Sequence, residues 1–171
     1  MNSLDTSRFQ DTAGEREFAY DPDTQPELFE GVRSRRFLAF LIDATIILIL
    51  TFIVGVFVFL LGILTLGFGW LLYGGIFPAV ALVYTAMTAG GPNSATIGMR
   101  TMGLEMRTWY GTKMYHLLAA MHALVFYFSI SILTPFVLLV CLFNGRKRCL
   151  HDMLMGTIVI NSKKQAEAYG K

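Results

Sequence analysis

Of 171 residues, 54% are hydrophobic and 15% are charged, with a mean hydropathy of +0.54. Charges crowd residues 1–36 and 146–171 and are sparse between them, the profile of a membrane chain rather than of a soluble domain. A formal charge of +2 with no basic face excludes a nucleic-acid footprint, and Cys141 and Cys149, eight apart, suit neither a disulfide framework nor a thiolate metal site.

Residues 1–30 carry eight acidic side chains, among them Asp21, Asp23, Glu27 and Glu30, with Pro22 and Pro26. Such a segment buries too little apolar surface to offset its ordering entropy, so a flexible polar tail is predicted. Phe18, Tyr20, Leu28 and Phe29 could dock it on a partner. No apolar core of a signal peptide occurs in the first 36 residues, so the first apolar run is expected to enter the membrane uncleaved.

Phe37 to Ala89 is almost continuously apolar. That is too long for one span of about 20 residues but fits two joined by a tight turn. The glycines of Leu61–Gly69 mark the turn, which predicts helices over about 35–61 and 68–89. Trp70 and Tyr73 suit the interface near that turn. Gly67, Gly74, Ala81 and Thr88 recur every seven residues as a stripe where another helix could approach. Pro78 predicts a kink.

One carboxylate, Asp43, lies inside the first apolar run. A charge there costs roughly 2.5–3.5 kcal/mol on insertion scales, so it must face protein, water or a partner. Arg36, two turns earlier, lies on the same helix face about 10 Å away along the axis. It either compensates Asp43 or snorkels to headgroups. His122, in the third apolar run, either partners Asp43 in a relay or hydrogen-bonds across helices. Asp43 itself reads as a proton or cation relay or as a structural carboxylate.

Residues 90–115 form a polar connection in which 103–108 could be a short strand before Gly111. The third apolar run, 117–143, is interrupted at Thr134-Pro135. Then come Arg146-Lys147-Arg148, the pair His151-Asp152, and a strand-like stretch over 156–160. Arg33, Arg35 and Arg36 place the N-terminus in the cytoplasm by the positive-inside rule. A single crossing by the third run would then put Arg146, Lys147, Arg148, Lys163 and Lys164 outside. Either the run returns as a re-entrant hairpin broken near Pro135, or it spans and the rule is violated. A return would let 156–160 pair with 103–108 as a small cytoplasmic strand pair. Adjacent residues do not face each other on a helix, so His151 and Asp152 make no dyad. Asp152 is expected to bond Arg100 or Arg36 instead.

Arg36, Asp43, the stretch Ser94-Ala-Thr-Ile-Gly-Met-Arg100, and Arg148-Cys-Leu-His151-Asp152 through Thr157-Ile-Val together resemble the RDD family of bacterial membrane proteins. The name counts one arginine and two aspartates, here Arg36, Asp43 and Asp152. The resemblance covers about residues 30–162 and implies a multi-pass inner-membrane protein of poorly defined role, with transport suspected and cation/proton exchange proposed for some members. Met99, Glu105, His116 and His122 stand where basic residues are frequent, which weakens an anion-binding reading.

These readings predict an all-α membrane protein: a polar tail over 1–30, a membrane domain over 31–162 and a short basic tail over 163–171. It would have two long transmembrane helices and a third apolar helical segment. The polar site would comprise Arg36, Asp43, Arg100, His122, His151 and Asp152. Two functions follow: transport of a cation or small solute through a homo-oligomer, or a non-transporting adaptor that binds other membrane proteins in the bilayer. No GxSxG, HExxH, P-loop or dinucleotide fingerprint occurs, so no enzyme activity, cofactor or metal is expected.

Overall fold

A computed structural model describes residues 19–20, 22, 24–133 and 150–169. Helix α1 runs from Val32 to Leu64 and α2 from Tyr73 to Ala89, joined by a tight 3-10 turn, Phe68–Leu72. Both, taken with their flanking turns, are long and apolar enough to cross a membrane. They meet through Ile47, Ala81 and Tyr84, with Ile46, Val80 and Tyr127 packed around them. Among the described residues, nothing covers the outward faces. Phe52, Phe57 and Leu64 are 73%, 68% and 81% exposed, as lipid-facing or partner-facing side chains would be.

The turn works because two glycines let the backbones touch. A side chain on Gly62 would strike the Trp70 indole, and one on Gly69 would sit 2.7 Å from the Gly62 nitrogen. Trp70 Nε1 donates to the Phe59 carbonyl at 3.3 Å and Tyr73 Oη to the Gly55 carbonyl at 2.8 Å. The two aromatics therefore also tie α2 back onto α1. The seven-residue stripe is only partly a packing seam. Ala81 is fully buried, but a side chain on Gly74 would meet nothing, and Gly67 serves the turn at φ +100°.

Residues 90–115 are more than a polar connection. Helix α3 (Ile97–Thr101) and strand β1 (Leu104–Thr108) build a small cap on the N-terminal part of α1. Its core joins Ala95, Met99, Leu104, Met106 and Met114 to Val32 and Ala39 of α1 and Val159 of strand β2 (Thr157–Asn161). Ser94 supports the fold from within, accepting from the Met114 amide through its hydroxyl and from the Met106 amide through its carbonyl.

Strands β1 and β2 pair antiparallel, Leu104 opposite Asn161 and Thr108 opposite Thr157, the pairing the sequence suggests. Every residue of β2 is buried. Because side chains alternate across a strand, Val159 joins the cap core on one side. Ile158 and Ile160 meet Tyr20, Leu28 and Phe29 on the other. Those three, read from the sequence as belonging to a polar tail, thus dock on the chain's own sheet. Pro26–Phe29 forms a 3-10 turn and Leu28 and Phe29 are fully buried. After β2, helix α6 (Ser162–Tyr169) continues the chain.

Helix α4 (His116–Leu133) follows the cap and helix α5 (Leu150–Met155) precedes β2. Residues 134–149, with Pro135, Cys141 and the basic run, lie outside the described residues, and with them the break expected near Pro135. On either side of them the geometry is plain. His151 rests 4.9 Å, ring to ring, from His122, only two turns into α4. The chain is back at the cap by residue 150.

Candidate functional site

Asp43 lies at the junction of α1, α2 and the cap, and is half-buried. Its Oδ1 accepts from the Tyr84 hydroxyl at 2.6 Å and from the Gly98 amide at 2.8 Å; its Oδ2 accepts from the Thr96 hydroxyl at 2.6 Å. Thr96 caps α3, its hydroxyl also accepting from the Met99 amide at 3.2 Å. The first amides of a helix lack intrahelical acceptors, and here the carboxylate supplies one. Gly98 is required by closeness. A side chain there would collide with the Ala39 carbonyl and sit 2.8 Å from the Asp43 carboxyl carbon. One carboxylate thus holds three chain segments through uncharged donors.

Asp152 forms the second polar centre and is fully buried. The Arg36 guanidinium bonds its Oδ2. Its Oδ1 faces His151 Nε2 at 3.6 Å and His122 Nε2 at 3.7 Å. His122 Nδ1 is 3.2 Å from the Thr157 hydroxyl, while Phe126 closes the pocket against His151 at 4.9 Å. Burial alone would raise the Asp152 pKa, but Arg36 and then the two imidazoles outweigh it and hold it at about 2. For His151, burial is the largest influence and lowers its pKa to about 4, against the pull of Asp152. Near neutral pH the centre therefore holds a guanidinium–carboxylate pair beside a neutral His151.

Several expectations change. Arg36 pairs with Asp152, not Asp43, because α5 folds back within reach of the start of α1. Asp43 has no cationic partner among the described residues; three neutral donors satisfy it instead. His122 faces Asp152 and Thr157 rather than Asp43. Of the two arginines expected for Asp152, the structure uses Arg36. Arg100 is exposed and lines an open cleft with Glu105, Arg107 and Lys113. His151 and Asp152 do converge although adjacent in sequence, since both are buried against α4 at the start of a six-residue helix. Sequence reasoning missed Tyr84, Thr96 and Gly98. The Thr-x-Gly pattern after Pro92 was a usable helix-start signal; nothing local singled out Tyr84.

Two apolar antiparallel helices, capped at one end by a small sheet and bolted there by the carboxylates of Asp43 and Asp152, define a helical protein of membrane type. Residues 31–156 match the RDD family, and the chain belongs to it. Comparison with curated proteins and with solved structures gives no match.

Proposed function

We propose that the protein is a non-transporting membrane scaffold, its Arg36, Asp43 and Asp152 serving to hold a cytoplasmic cap on a two-helix membrane anchor. The observation that carries this reading is the use of Asp43: Tyr84, Thr96 and Gly98 satisfy it from two other segments. A bilayer core of about 30 Å takes about 20 helical residues. Residues 44–64 of α1 supply that length with no ionisable side chain. On this reading Asp43 marks the membrane border rather than a mid-membrane relay. Arg33, Arg35 and Arg36 at the cap end favour a cytoplasmic cap in a bacterial inner membrane. The return of the chain to the cap by residue 150 favours the same side for Lys163 and Lys164.

The exposed apolar faces of α1 and α2 are the surfaces such a scaffold offers to lipid, to further copies or to other membrane proteins. Purified protein in liposomes should show no gradient-driven flux of H+, Na+ or K+ above empty vesicles, and Asp43→Asn should lower its abundance in membranes. Flux that Asp43→Asn abolishes at normal abundance would overturn the reading in favour of cation transport through an oligomer. The buried carboxylate–imidazole cluster is the one observation that favours that alternative, since such groups can bind and release cations.

A further inference from the structure

We propose that His122, His151 and Asp152 form a binding site for a transition-metal dication of the Zn2+ class, which pins α5 to α4. The inference goes beyond the scaffold reading and does not depend on it. The three residues are buried, and each offers one ligand atom with all three atoms within 4.8 Å of one another. Two ligands held about 2.1 Å from one tetrahedral ion stand about 3.4 Å apart. The Asp152 Oδ1 lies 3.6 and 3.7 Å from the two imidazole Nε2 atoms, too long for direct hydrogen bonds and close to that spacing.

Two further observations point to a ligand. The Thr157 hydroxyl engages His122 Nδ1 and so fixes the ring with Nε2 toward Asp152, as partners behind metal-bound histidines do. His151 is 94% buried, and its Nε2 is aimed into the cluster at the same Asp152 oxygen, 3.6 Å away, with no direct hydrogen bond to it. Arg36 bonds the other carboxylate oxygen, and Oδ1 is the one turned toward both imidazoles. The adjacent guanidinium weakens the pull on any dication, so the ion exchanges with the medium. Two nitrogens and one oxygen favour Zn2+, Co2+ or Ni2+ over Mg2+ and Ca2+, which take mainly oxygen ligands.

The test uses tag-free, full-length protein in nanodiscs, stripped with chelator and then titrated with Zn2+ or Co2+ alone. Wild type should bind about one Zn2+ per chain in equilibrium titration and melt at a higher temperature with Zn2+. Affinity should fall more than roughly tenfold in His122→Ala and in His151→Ala, and stay unchanged in His116→Ala, whose histidine lies outside the cluster. Should the alanine variants fail to fold, His151→Cys decides: with Co2+ it should gain a near-ultraviolet thiolate-to-cobalt band absent from wild type. Wild type that binds no more Zn2+ than empty nanodiscs would overturn the proposal. So would binding that survives both alanine changes, or a folded His151→Cys without the band.

Discussion

Asp43 and Gly98 act as one device. The carboxylate needs the helix-start amide, and the amide reaches it only because residue 98 has no side chain. Asp43→Asn removes the charge from three short hydrogen bonds, each worth about 1.5–3 kcal/mol when one partner is ionised. Gly98→Ala keeps the carboxylate but forces α3 away from α1, at about 1–3 kcal/mol or more. Both variants should lower the thermal midpoint in detergent. A Gly98→Ala protein as stable as wild type would show that the close approach is not needed.

Arg36 and Asp152 form the other fastening. Removing one member of a buried pair leaves an uncompensated charge, at a cost of about 3–5 kcal/mol. Arg36→Gln should therefore destabilise more than Arg33→Gln, an exposed neighbour, as chemical denaturation would show. In chelator-treated protein His151 and Asp152 also set the acid limit. The folded-state pKa of His151 lies below its ordinary 6.5, at about 4, so the unfolded chain takes the proton first. Stability should hold above pH 6.5 and fall between 6.5 and 4, by on the order of 3 kcal/mol. The Asp152 contribution, with a pKa lowered from 3.8 to about 2, should be lost only below pH 4. Melting curves from pH 7.5 to 3 check this, and His151→Gln should flatten them between pH 6.5 and 4.

At the scale of elements, the helices were legible because apolar runs of that length have few other uses. The Leu61–Gly69 turn was marked by its glycines, and the strand pair followed once the tail was allowed to return. The cap core was not legible. Its methionines and small residues are interleaved with Arg100, Glu105, Arg107 and Lys113, which hides the apolar face of a short strand. The docked Leu28 and Phe29 were masked by their acidic neighbours in the same way. At the turn, Gly62→Ala should displace the Trp70 ring and loosen the helix pair. A blue shift or broadening of the Trp70 emission in a Trp109→Phe background, with an unchanged helix signal in circular dichroism, would report it.

For the whole molecule, the decisive contacts join residues far apart in sequence: 36 to 152, 43 to 84 and 96, 122 to 157. Local pattern cannot say which distant polar groups will meet, so the sequence could offer candidate residues and alternative partners for Asp152 but not the contacts of Asp43. One consequence concerns sidedness. In a cysteine-free background, exposed Ser34→Cys and Lys163→Cys should react with an impermeant thiol reagent from the same face of the membrane, and Leu66→Cys from the opposite face. Opposite labelling of positions 34 and 163 would refute the return of the chain to the cap.

The most direct test is hydrogen exchange on the protein in nanodiscs, comparing wild type with Asp43→Asn. If the carboxylate fastens the cap, the amides of residues 96–108 should lose protection while the membrane-embedded parts of α1 and α2 keep theirs. Unchanged protection across 96–108 would contradict the account.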